Sequence, residues 1–135
     1  MKYFVLIFIC LGMLSCSNDS PENTVMVFHD AFKRMDIAKA KTVSAPETLN
    51  FLESIEEVMN QLLADKDSKA KFDESNAQKI KEYEAEGPFT CTCKNSESEN
   101  IKICEVKNKD GKVSMDNIKV EKIDGKWLVK ISLEK

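Results

Sequence analysis

The chain has little of what most catalytic and metal chemistry uses. It holds one histidine, His29, and one tryptophan, Trp127, in 135 residues. One imidazole argues against histidine-rich metal sites and leaves His-based catalysis a single candidate residue. Glycine and proline are also scarce, four and three, so neither collagen-like repeats nor a long disordered linker fits. There is no basic excess: 20 lysines and arginines stand against 23 acids, a formal charge of −3. That argues against a nucleic-acid binder. No Gly-rich phosphate loop, nucleophile elbow or metalloprotease motif occurs.

What is present is a globular composition, 42% hydrophobic and 32% charged, in a chain with room for one domain. Its apolar run lies at the start: Tyr3 to Leu14 follows Lys2. Twelve residues are too few for a helix to span a bilayer, which needs about 20. A positive start, an apolar stretch and small Ser15 describe a signal peptide over residues 1–15. Met13-Leu14-Ser15-Cys16 resembles the lipobox of bacterial lipoproteins. The resemblance implies cleavage before Cys16 and two or three acyl chains on its thiol, enough to anchor stably where one chain holds only marginally. Cys10, preceded by bulky Ile9, is the poorer candidate. Ser17 after the cysteine implies, by the same resemblance, the outer membrane of a Gram-negative envelope, facing the periplasm or the surface. Residues 16–22 read as lipidated cysteine and tether, and 23–135 as a single domain. Without residues 1–15 the balance is 19 basic against 23 acidic residues.

The domain reads as helices followed by strands. Ser20-Pro21-Glu22 is a helix start, with Val25, Phe28, Phe32 and Met35 at helical spacing. Asp36 opens a short helix over 37–43. Ser44 and Glu47 have capping-box spacing before a third helix carrying Leu49, Leu52, Ile55, Met59 and Leu62 on one face, widened by Phe51, Val58 and Leu63. Residues 65–86 alternate in charge, with Phe72, Ala77, Ile80 and Tyr83 as a narrow apolar stripe; the reading is a solvated helix. After Gly87-Pro88 the period becomes two. Strands are expected from Phe89 through Cys93, over 101–107, 113–123 and 126–133, with turns at Asn108–Gly111 and Asp124-Gly125. The apolar phase slips inside the second and third strands. Either each carries a β-bulge, or their ends are buried on both faces. The fold class is α+β: three or four helices packed on a curved four-stranded antiparallel sheet.

The stretches 20–44 (SPENTVMVFHDAFKRMDIAKAKTVS) and 124–135 (DGKWLVKISLEK) resemble the opening helices and closing strand of short bacterial lipoproteins of a domain-of-unknown-function family. That family has the nuclear transport factor 2-like, cystatin-like fold. The resemblance implies a cone-shaped sheet with a pocket at its open end, and its superfamily includes both enzymes and non-catalytic binders, so fold alone does not assign a function. Enzymes on such a scaffold set an ionisable base and a Tyr or protonated Asp in the pocket.

The candidate pocket residues are Phe28, His29, Phe32, Tyr83 and Trp127, with Leu52, Ile55 and Val129 between helices and sheet. Cys91 and Cys93 share a strand face, and a hairpin near Ser96–Asn100 brings Cys104 opposite Cys93. A Cys93–Cys104 disulfide is preferred to Cys91–Cys104, because register decides between them, and adds about 2–3 kcal/mol. Free buried thiols and a Cys-x-Cys thiolate site are the alternatives; the latter lacks a local fourth ligand. No catalytic residue, no metal and no cofactor is assigned. The expectation is a membrane-anchored, non-catalytic envelope lipoprotein that binds a small-molecule or peptide ligand or another envelope protein. The rivals are a small isomerase or hydro-lyase using a pocket acid, and a structural module that homodimerises through its sheet.

Overall fold

A computed structural model describes residues 19–131. The expected signal peptide, Cys10, lipidated Cys16 and the first residues of the tether lie outside the described residues, as does Leu133. Helices α1 (Pro21–Lys33), α2 (Ile37–Lys41), α3 (Pro46–Leu62) and α4 (Lys66–Glu86) precede strands β1 (Thr90–Asn95), β2 (Ile101–Lys107), β3 (Val113–Ile123) and β4 (Lys126–Val129). The strands form one antiparallel meander in the order β1-β2-β3-β4. The α+β class is therefore observed. Among the described residues no helix is long and apolar enough to cross a membrane.

Local chemistry accounts for the helix starts. The Ser20 side chain accepts from Asn23 N, Asp36 from Lys39 N and Asp65 from Ser68 N, each satisfying an orphan amide of a first turn. Because α1 already begins at Pro21, Pro21 and Glu22 belong to the helix rather than to a tether. It also ends two residues before Met35, which takes φ 57° to turn the chain into α2. Ser44 does not cap α3. Ala45 occupies the cap position without a side-chain bond, and the Ser44 hydroxyl donates back to Ala40 O. The reason is tertiary. Ser44 forms an isolated parallel bridge with Val129 of β4: Val129 N donates to Val43 O and Ala45 N donates to Val129 O. Thr48 Oγ1 also donates to Val129 O and accepts from Ile131 N, locking the start of α3 to the sheet.

The core lies between α1, α2, the first turns of α3 and one sheet face. Val25, Phe28, Ala31, Ala40, Val43, Leu52, Val106, Val120, Trp127 and Val129 are buried there. Along α3 Leu52 is buried and Phe51, Ile55 and Met59 pack half-buried against this core, while Val58 and Leu62 are exposed, so the broad apolar face expected of it is covered along a narrower stripe.

The phase slips resolve differently in the two strands. From Cys104↔Ile118 to Val106↔Met115, and again to Lys107↔Val113, β3 advances one residue more than β2. Both extra residues thus sit in β3, and Asn117 takes a positive φ of 53° beside the first. β2 has no bulge. Its Cys104 and Val106 face the core, while Ile101 and Ile103 are half-buried on the alternate positions. At the β3–β4 turn Asp124 and Gly125 have φ of 51° and 78°, as a two-residue hairpin with matched twist requires. β4 ends at Val129, four residues short of the expected strand, as the chain leaves to meet Thr48.

Candidate functional site

Two clusters carry the chemistry of the described residues. The first joins α1, α4 and β3. His29 has no solvent exposure. Its Nε2 lies 2.8 Å from Ser114 Oγ and its Nδ1 3.5 Å from the Tyr83 hydroxyl oxygen. That hydroxyl donates its proton to Asp30 Oδ1 at 3.1 Å. A neutral ring in this setting carries its proton on Nδ1 and accepts from Ser114 at Nε2. Burial, reinforced by the Lys33 charge and opposed by Asp30, lowers His29 from 6.5 to about 4, so the ring is neutral at pH 7. Phe89 closes the cluster, 4.9 Å from the His29 ring and stacked on Tyr83 at 4.8 Å between centroids.

Ser114 reaches His29 because it is the second extra residue of β3; a bulge re-aims the side chain it carries. Asp30 is held by α1 itself: Arg34, one turn on, pairs with Asp30 Oδ1 at 3.0 Å and with Glu84 of α4 at 2.8 Å. Burial would raise the Asp30 carboxyl, but hydrogen bonds from Arg34 and Tyr83 outweigh it and hold the group below its ordinary value. Tyr83 is pushed up to about 12, first by burial and then by the Asp30 charge. The hydrogen bonds to Glu84 and then to Asp30 raise Arg34.

Beside this cluster the end of α1, α4 and β3 enclose an open groove of about 320 Å³, lined by Phe32, Lys33, Lys79, Glu82, Tyr83, Glu86 and Met115. The size falls at the lower end of small-ligand pockets. Its lining combines apolar Phe32 and Met115 with charges of both signs. Of the five residues expected to line a pocket, Phe32 and Tyr83 do so. Phe28 and Trp127 are core residues, and His29 is fully buried and does not line the groove. Lys33, Lys79, Glu82, Glu86 and Met115 were not among the expected residues. Asp30 and Arg34 were also not among the expected residues, and their i,i+4 spacing is the signal that points to them; Ser114 had no local signal, since its role depends on the bulge.

The second cluster lies on β1 and β2. Cys93 pairs with Cys104 across the strands, their Cα atoms 4.0 Å apart, and the two form a disulfide. Cys91 is a free thiol with its sulfur 3.8 Å from that of Cys93. All three sulfurs lie within 4.8 Å of one another. Burial, and then the Glu22 carboxylate, push the Cys91 thiol up to about 11.

A family described as "Domain of unknown function (DUF4878)" matches residues 14–130. No curated protein and no solved structure matches the chain.

Proposed function

The chain belongs to the DUF4878 family, and on that premise we propose that it is a lipid-anchored envelope lipoprotein, held at a Gram-negative outer membrane through Cys16. Its domain is a non-catalytic binding module of the nuclear transport factor 2-like, cystatin-like type. The N-terminal pattern of Lys2, the apolar run and Met13-Leu14-Ser15-Cys16 supports the anchor. Helices preceding a meander whose third strand is bulged support the fold type.

The observation that carries the binding reading is the groove itself. Its lining sets apolar Phe32 and Met115 beside Lys33, Lys79, Glu82 and Glu86. Such a lining suits a small zwitterionic ligand or a short peptide with an apolar group. Proton-transfer chemistry at neutral pH needs a group titrating near 7 that can touch substrate. His29 is enclosed and Tyr83 titrates far above 7, which favours binding over turnover.

Native mass spectrometry of the protein released from membranes in mild detergent tests both parts. The expected mass exceeds the chain from Cys16 by a diacylglyceryl group and an acyl chain. A further non-covalent mass is expected in the wild type and lost in Lys79→Glu. An unmodified Cys16 would overturn the anchor. A non-covalent mass unaffected by Lys79→Glu, or absent from both proteins, would overturn the groove as the binding site.

A further inference from the structure

We propose that Cys91, Cys93 and Cys104, once the disulfide is reduced, form a three-thiolate site for a single Cu(I) ion, so that the redox state of one bond opens and closes a metal site. Three observations combine. The three sulfurs come from neighbouring strands and lie within 4.8 Å of one another. The Cys91 and Cys93 sulfurs are already 3.8 Å apart without being bonded. Three sulfurs placed at a metal–thiolate distance of about 2.3 Å around a common centre stand about 4 Å from each other. The strands therefore already hold Cys91 and Cys93 at the spacing of a trigonal site, and opening the Cys93–Cys104 bond lets the third sulfur relax to it.

The ligand set selects the ion. Thiolates favour Cu(I) and Zn(II) among biological metals. Zn(II) sites are almost always four-coordinate, and the cluster supplies three ligand atoms, with no fourth His, Cys, Asp or Glu atom in the group. A d¹⁰ monovalent ion satisfied by three soft ligands fits that count. The setting fits as well: Cys104 is buried and Cys91 and Cys93 are half-buried against the core, which limits water at the ion.

The chemistry balances with an external dithiol as reductant. The dithiol gives two electrons to the Cys93–Cys104 bond and leaves as its own disulfide, and its two protons end on the Cys93 and Cys104 sulfurs. Cu(I) then replaces the protons of the three thiols and releases them to solvent. With the disulfide closed, one thiol remains and no site exists.

The test is anaerobic titration of the protein with Cu(I) against a chromophoric Cu(I) chelator, with the disulfide closed and after reduction. One Cu(I) per reduced chain is expected, with an ultraviolet thiolate-to-copper charge-transfer band, and none in the disulfide form. Cys91→Ser keeps the Cys93–Cys104 bridge and so keeps the fold. After reduction it should bind Cu(I) at least about 100-fold more weakly, since outer-shell changes alone can cost that much. Affinity should rise with pH, because protons are displaced. Equal binding by reduced wild type and Cys91→Ser, or by the disulfide and reduced forms, would overturn the site. So would preference for Zn(II) over Cu(I) in direct competition. A reduced chain that loses its Trp127 near-ultraviolet dichroism and does not regain it with Cu(I) would overturn it too.

Discussion

Helices α1 and α4 differ more than their lengths suggest. α1 has 13 residues, six of them buried. α4 has 21 and buries none. α1 is stabilised by tertiary burial along one stripe, as most protein helices are. α4 depends on its own cap, on i,i+4 pairs such as Lys69–Asp73, and on attachments at its C-terminal end. There Tyr83 stacks on Phe89, faces the guanidinium of Arg34 at 5.5 Å and donates to Asp30. Glu84 pairs with Arg34, and Lys109 donates to Ala85 O and Glu86 O. A helix can thus be long, well capped and loosely coupled to its domain. The groove lies where the tightly held helix meets the loosely held one, so its width depends on how α4 sits.

The comparison can be broken most severely at α1. Phe28→Ala should cost about 3–5 kcal/mol, because Phe28 is enclosed and its loss leaves a cavity; chemical denaturation measures it. Phe72→Ala on α4 should fall well below that, since Phe72 is only half-buried. Equal losses would mean that α4 is part of the core after all.

Acid attacks the same interface through His29. Its folded value of about 4 lies below its ordinary 6.5, so the unfolded chain binds the proton more readily. Stability contributed by the neutral ring is fully present above pH 6.5 and lost as pH falls towards 4, by up to about 3 kcal/mol. Melting temperature against pH should show this slope, and His29→Gln should flatten it. A wild-type profile flat from pH 6.5 to 4 would sink the assignment.

Smaller changes sharpen the contrast. Tyr83→Phe removes the hydroxyl shared by Asp30 and His29 and should cost about 1 kcal/mol globally. It should also speed amide exchange throughout 66–86 while leaving α1 protected. Asp65→Ala removes the cap of an exposed turn. It should speed exchange in the first turn of α4 with no change in the denaturation midpoint. If it lowered the midpoint, α4 would be folding cooperatively with the core.

The elements themselves were readable because their signals are local. Ser20, Asp36 and Asp65 cap helices with the side chains the residue type provides, and Asp124-Gly125 can adopt the positive φ values its turn needs. β2 and β3 begin and end where their composition changes. Ser44 illustrates the opposite case. Its spacing to Glu47 matches a capping box, yet residues 43–45 bond to Val129 instead, a partner more than 80 positions away. The groove was half legible. Phe32 and Tyr83 line it, but Phe28, His29 and Trp127, equally apolar or aromatic, are buried between the helices and the sheet.

From the sequence alone followed the α+β class, the order of helices and strands and the alternation that puts Cys91 and Cys93 on one face. These depend on periodicity and turn chemistry within a few residues. The tertiary structure decided three things. It placed both extra residues in β3, it set the register that puts Cys104 opposite Cys93, and it bonded residues 43–45 to Val129. Each depends on pairing between distant segments. A one-residue slip reverses which face a side chain takes, and no local pattern records which partner a strand or helix will meet.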